Sequence, residues 1–259
     1  MPELPASVRL ALWVTGAWAA GEPLATAVAR ALPDAEPASG VVARLALWHE
    51  LGERAVLVAL PASGDLTAVP GASRETRYAV VAAGECLLAP ALGAVLVPTL
   101  TVHGPGGSRP AGTLDRVTVL DLGAHSADPV PRHRVEALDA RAAARGLLQE
   151  VGRSTAALER VGGTPFDARS AHASAGHPTA AEWALPSRLA PRVLEAVRLA
   201  GAVGTAARAG LEGPHDAVDA VTREARDGIL RSLARAADVA LAEATNAGVA
   251  ALAGWVPAR

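Results

Sequence analysis

One turn of the chain combines residue types that bind ligands with a position at the end of a strand. The apolar run at 54–60 is typical of a strand buried on both faces, and Ser63, Gly64 and Asp65 follow it. In open α/β sheets, ligands bind just beyond the carboxyl ends of the strands. A small-molecule pocket is therefore one prediction for the Ser63–Asp65 turn, with Asp65 binding a ligand hydroxyl or acting as a base.

Other polar side chains would help Asp65 to hold a ligand. The candidate ligand-binding residues are Asp65, Arg77, Glu85 and His103. The sequence favours a structural alternative, in which the Asp65 carboxylate accepts backbone N–H groups within an Asx-type turn. Both interpretations stay open at this point.

Seven histidines suggest a metal site by their number but not by their spacing. No pair shows the His-Glu-x-x-His spacing of a helical zinc site. His172 and His177 are five residues apart, but they lie in a polar segment predicted to be a loop, where a pair alone makes a weak site. Surface or capping roles are favoured, so no metal ligand is predicted. A metal-dependent hydrolase is the third functional hypothesis, behind the two described below.

Covalent catalysis lacks its usual residues. All 24 basic residues are arginine, which excludes a Walker-type phosphate loop and Schiff-base chemistry, because both need a lysine. No Gly-x-Ser-x-Gly motif occurs. Cys86, the only cysteine, lies in an apolar run and is predicted to be a core residue rather than a nucleophile. We expect no cofactor, and whether the protein is an enzyme stays open.

The composition indicates a folded chain. Hydrophobic residues make up 51% and charged residues 19% of the 259 residues, which excludes a disordered chain. The net charge of −2 predicts no nucleic-acid partner, since such proteins present a basic face. No apolar run reaches the length of a membrane span, and the amino-terminal segment lacks the basic start of a signal peptide. A cytoplasmic location and no membrane contact are predicted.

Periodicity and turn signals place helices and strands together in the first half of the chain. Ser7 is expected to cap the first helix, and Gly84 to end the fourth. The predicted helices span 7–20, 23–32, 41–51 and 73–83, and a loop is predicted at 34–40. The predicted strands span 54–60, 86–89, 94–102 and 116–122.

The second half has almost only helical signals. The predicted helices span 131–161, 189–210 and 214–246, with a polar loop at 166–179 and Trp183 as a candidate interface anchor. The sequence thus predicts an α+β fold that is predominantly helical, with a small sheet of three or four strands in the amino-terminal half. Its predicted parts are a mixed α+β region at 1–126 and a helical region at 127–259, which together form either two domains or one continuous globule.

Short motifs around the central strands carry a family resemblance. They are Leu60-Pro61, Gly64-Asp65, Val69-Pro70-Gly71, Ala83-Gly84-Glu85, Leu92-Gly93 and Val97-Pro98. With the two tryptophans of the first helix, they resemble a conserved family of proteins of unknown function from high-GC Gram-positive bacteria. The resemblance covers residues 10–100. It implies no activity, and it suggests that Gly64-Asp65 and Gly84-Glu85 have structural or functional roles.

Two functional hypotheses follow. The first is a non-catalytic protein that binds a protein partner or a second copy of itself, because no catalytic constellation occurs and long Ala- and Leu-rich helices are able to pair between chains. The alternative is a small-molecule-binding protein or enzyme with its pocket at the Ser63–Asp65 turn.

Overall fold

A computed structural model describes residues 4–103, 117–161, 184–212 and 219–256. Within these ranges, eight helices and one five-stranded sheet form an α+β fold. The fold class is as predicted, whereas the sheet has five strands rather than three or four. The helices are α1 (Ala6–Ala20), α2 (Leu24–Ala31), α3 (Val41–Glu50), α4 (Arg74–Ala83), α5 (Arg132–Glu136), α6 (Ala140–Val161), α7 (Pro191–Glu212) and α8 (Ala220–Leu252). The strands are β1 (Glu36–Pro37), β2 (Leu57–Ala59), β3 (Cys86–Ala89), β4 (Ala94–His103) and β5 (Val117–Ser126).

The sheet has the order β1-β5-β4-β3-β2. Strands β2 to β5 are antiparallel, with Val58 opposite Leu87 and Leu96 opposite Ala124. β1 pairs in parallel with β5 and lies in the segment that was predicted to be a loop. Two residues carry no alternation of apolar and polar side chains, so the sequence has no signal for such a strand.

Three further sequence predictions of local structure are wrong. Ser7 does not cap α1: Pro5 precedes the helix, and the Ser7 N–H donates to the Glu85 carboxylate at 2.7 Å. The strand predicted at 54–60 has only three residues in the sheet. The helix predicted at 131–161 is divided into α5 and α6, because the Asp139 carboxylate accepts the first N–H groups of α6 and starts a new helix there.

One hydrophobic core contains residues of both halves of the chain. Leu10 and Leu12 of α1, Leu87 of β3 and Val249 of α8 are all fully buried in it. The three long helices pack on each other through small residues, and a side chain at Gly204 of α7 would begin 3.5 Å from the Ala237 Cβ of α8. These Ala- and Gly-rich faces are therefore covered within the chain. The predicted division at 126/127 stays a prediction.

Several sequence predictions fall outside the described residues. They concern the polar loop at 166–179, its histidines His172 and His177, and the interface anchor Trp183.

A buried carboxylate holds the turn between β3 and β4. Oε1 of Glu53, a residue that is 1% exposed, accepts the N–H groups of Ala91 at 2.6 Å and Leu92 at 2.7 Å. Gly93 completes the turn at φ +64°, and a Cβ there would lie 2.5 Å from the Ala127 carbonyl oxygen, so only glycine fits. Burial raises the pKa of Glu53 and outweighs the two hydrogen bonds, which lower it.

This raised pKa makes the stability of the protein dependent on pH. Because the folded protein holds the Glu53 proton more tightly than the unfolded chain, its stabilising contribution is present below the ordinary glutamate pKa and is lost as pH rises through the folded pKa. Glu53→Gln keeps an acceptor oxygen but does not ionise. As pH falls from 7.5 to 4.5, we expect the unfolding free energy of wild type to rise relative to that of this variant, by at most about 1.4 kcal/mol per pH unit.

Urea denaturation at several pH values measures this difference. Glu224→Gln, at an exposed position of α8, is the control and should show no such change relative to wild type. A constant difference between wild type and Glu53→Gln, or a difference of opposite sign, would contradict the assignment.

Candidate functional site

A cavity of about 500 Å³ lies between the outer edge of β2, the segment 130–142 and the carboxyl-terminal half of α8. This volume is within the range of small-molecule sites. The apolar residues of its wall are Leu57, Val58, Leu60, Ala68, Leu88, Val130, Val135, Ala137, Leu138, Ala142, Val239 and Ala242. The polar ones are Thr67, Arg134, Asp139, Arg235, Glu243 and Asn246. A mostly apolar wall with a few polar groups is typical of a ligand pocket.

Asn246 fixes α8 against the sheet. Its Oδ1 accepts the Val58 N–H at 2.7 Å, and its Nδ2 donates to the Val58 carbonyl at 2.8 Å. β2 is an edge strand, so Val58 has no strand on that side. The side-chain amide therefore takes the place of a neighbouring strand and forms one wall of the cavity.

Arg235 fastens the turn that was predicted to bind ligands. Its Nε and Nη2 donate to Asp65 Oδ2 at 3.0 and 2.6 Å, and its Nη1 donates to the Leu60 carbonyl. Asp65 Oδ1 accepts the Thr67 hydroxyl at 2.7 Å and the Thr67 N–H at 3.1 Å. The Thr67 hydroxyl, followed by Arg235, holds the pKa of Asp65 well below its usual range. Asp65 thus makes the Asx-type turn of the structural alternative and is joined by an ion pair to the cavity wall.

Two more charged residues of the wall have structural partners. Arg134 Nη1 donates to the Thr67 carbonyl at 2.9 Å. Asp139 Oδ1 accepts the N–H groups of Arg141 at 2.8 Å and Ala142 at 3.3 Å, at the start of α6. These bonds hold the lining segments together. Only one charged side chain of the wall has no such bond among the described residues.

Glu243 is that residue. It lines the cavity from α8 and is exposed to solvent, and in the described part of the chain it has no hydrogen bond or ion pair. Partial desolvation of its carboxyl raises the pKa of Glu243. A carboxylate in this position can accept a hydrogen bond from a bound molecule or pair with a cation.

The four candidate ligand-binding residues do not come together. Asp65 adjoins the cavity through Arg235, whereas Arg77 is exposed on α4 and His103 is exposed at the end of β4. Glu85 follows α4 and lies beside the first turn of α1, where its carboxylate accepts the Ser7 N–H. Burial raises the pKa of Glu85. Among the residues that the structure places, no hydrogen bond or ion pair joins any two of the four. Their binding role stays a prediction.

Sequence reasoning missed the side chains that α8 brings to the cavity. Arg235, Val239, Glu243 and Asn246 recur three or four residues apart, so they share one face of the helix. That spacing is readable in the sequence. The strand that this face meets is not, since Asn246 and Val58 are 188 positions apart.

Metal and thiol chemistry gain no support from the described ranges. No group of three or more His, Cys, Asp or Glu side chains there is placed to hold a metal ion. Burial raises the pKa of Cys86 to about 12, so this thiol stays protonated at neutral pH. A buried Cys86 agrees with the predicted core position.

Comparison with family models identifies the group to which the chain belongs. Residues 7–136 match the Rv1486c-like protein, N-terminal domain, and residues 141–242 match the Rv1486c-like protein, C-terminal domain. The chain is therefore a member of the Rv1486c-like family, a family of uncharacterised proteins. This confirms the predicted resemblance to a family of unknown function, while the bacterial group named for it stays a prediction.

Neither curated proteins nor solved structures provide a match to the chain. None of the described helices, α1 to α8, is both long and apolar enough to cross a bilayer.

Proposed function

We propose that the protein is a non-catalytic binding protein whose ligand is a small, largely apolar molecule carrying an amine or another strong hydrogen-bond donor. The ligand occupies the cavity beside the Ser63–Asp65 turn. One observation carries the proposal: Glu243 is the charged group of the cavity wall that has no partner among the described residues.

The lining supports the two parts of this ligand description. The aliphatic side chains of β2, of the segment 130–142 and of α8 favour an apolar body, because burying it removes apolar surface from water. The Glu243 carboxylate favours a donor or a cation, since hydrogen bonds to an ionised group are about twice as strong as neutral ones. A bound cation would also lower the raised pKa of Glu243.

The remaining polar groups favour binding over catalysis. Arg134, Asp139, Arg235 and Asn246 already bond to the protein backbone or to Asp65. A general acid and base would need a second titratable group facing the ligand beside Glu243. The proposal keeps the predicted cytoplasmic location, and cell fractionation tests it. Absence of a nucleic-acid partner also stays a prediction.

Titration with a rigid apolar amine tests the proposal. We expect 1-adamantylamine to bind wild type more tightly than 1-adamantanol, which has the same apolar body without the charge. Glu243→Gln should weaken amine binding by about 10- to 100-fold, because a charged hydrogen bond contributes roughly 1.5–3 kcal/mol. Affinity for the amine should rise with pH through the pKa of Glu243, since the amine itself stays protonated.

Isothermal titration calorimetry gives these affinities. Glu224→Gln, which removes an exposed carboxylate from the same helix, is the matched control and should bind like wild type. Equal affinities of wild type and Glu243→Gln for the amine, or no binding of the amine to wild type, would count against the site.

A further inference from the structure

Strand β4 extends well beyond its neighbour β3. β4 pairs with β5 along its whole length, from Ala94 to His103. Its pairing with β3 ends at Leu96, which lies opposite Leu87. The outer part of β4 therefore has a strand on one side only.

The hydrogen-bond pattern shows which backbone groups of this part are free. The Ala127 N–H donates to the Gly93 carbonyl at 2.8 Å, so odd-numbered residues of β4 direct their N–H and C=O groups towards β5. Even-numbered residues of β4 direct their N–H and C=O groups to the other side of the strand, the side of β3. Beyond β3, these are Pro98, which has no N–H, and then Leu100 and Val102. Within the described chain, neither Leu100 nor Val102 has a partner for these groups on this edge.

The outer edge of β2, on the same side of the sheet, is covered in a way that the free part of β4 is not. In β2 and the residues that flank it, the Val56 N–H donates to Thr15 Oγ1, both backbone groups of Val58 bond to Asn246, and the Leu60 carbonyl accepts from Arg235. Residues 98–102 of β4 include no charged side chain, although charged residues are a common protection of exposed edges. Leu100 is 54% exposed and Val102 is 58% exposed.

We propose that this edge of β4 pairs antiparallel with the same edge of a second copy, about a twofold axis at Thr101. This inference is independent of the ligand site. In this register, Leu100 lies opposite Val102 of the second copy, and each pair exchanges two backbone hydrogen bonds. All four free N–H groups, two from each copy, then meet a carbonyl oxygen. The donors and acceptors of the edge thus complement a copy of themselves, as an isologous interface requires.

The side chains fit the same register. Leu100 and Val102 share one face of β4, so the pairing brings the two exposed apolar side chains of each copy against those of the other. Thr101 lies opposite its own copy on the other face. A cavity of about 490 Å³ beside Val97–Leu100 is lined on α4 by alanines, which leaves space next to the edge.

Cysteine cross-linking tests both the pairing and its register. Residues at a non-hydrogen-bonded antiparallel position have Cα atoms about 4.5 Å apart, within the range of a disulfide. Under mild oxidation, we expect Thr101→Cys to form a covalent dimer at least about tenfold faster than Leu148→Cys, which places a thiol at another exposed position, on α6. Cys86 is buried and should not contribute to the dimer.

Sedimentation velocity of full-length protein without cysteine substitutions supplies the second readout. Leu100→Lys should shift a concentration-dependent dimer to monomer, because a charge on the edge opposes strand addition, while Leu148→Lys should leave the dimer unchanged. Cross-linking of Thr101→Cys no faster than that of Leu148→Cys would overturn the proposal. Wild-type-like association of Leu100→Lys would also overturn it.

Discussion

Asn246→Ala should lower the free energy of unfolding by about 2–4 kcal/mol, because it leaves two buried backbone groups without partners. The side-chain amide bonds to both the N–H and the C=O of Val58. Val58 is 1% exposed, so water does not readily replace the amide. Alanine has the higher helix propensity, which offsets only about 0.5 kcal/mol of this cost.

Urea denaturation at neutral pH measures the change. Ser232→Ala, at an exposed position of α8, makes a comparable polar-to-alanine change without a bond to the sheet and should be close to neutral. An Asn246→Ala variant as stable as Ser232→Ala would mean that the amide does not hold α8 on β2. The cavity wall described above would then lose its main support.

Two glycines of α8 should respond to alanine with opposite signs. A Cβ at Gly248 would lie 2.7 Å from Val193 Cγ1 and 3.3 Å from Leu12 Cδ2, whereas a Cβ at Gly228 meets nothing within 4 Å. Overpacking costs about 1–3 kcal/mol, and Val193 is β-branched and cannot turn away easily. Gly228→Ala should gain up to about 1 kcal/mol from helix propensity.

The same denaturation experiment compares the two variants. Both substitutions add one methyl group to the same helix, so the difference between them isolates the contact of α8 with α1 and α7. We expect Gly248→Ala to be less stable than Gly228→Ala by about 1–3 kcal/mol, the overpacking cost, because the gain in helix propensity is common to both variants. Equal stabilities would contradict the close packing at Gly248.

Local signals in the sequence were sufficient for much of the fold. Ser73 and Gly84 bound α4 as predicted, because a side-chain cap and a left-handed glycine act within one helical turn. The apolar runs at 86–89 and 94–102 also predicted the strands β3 and β4 correctly. At Asp139 the helical period continues and predicted one helix, but the Asp139 carboxylate caps a new helix there.

The candidate site depends on contacts that no local signal encodes. The Asp65 turn was recognised from its position after a strand, but its ion pair with Arg235 spans 170 positions. Asn246 and Glu243 read as ordinary polar residues of a helix until β2 is known to lie against them. Ser7 misled because its side chain is a common cap, whereas its backbone N–H is bound by Glu85.

A crystal structure of the wild-type protein grown with 1-adamantylamine tests the central claim most directly. The account predicts the amine in the cavity between β2 and α8, with its nitrogen within about 3 Å of a Glu243 carboxylate oxygen, the distance of a charge-assisted hydrogen bond. Density for the amine at another surface of the protein, with the cavity beside Glu243 unoccupied, would contradict it.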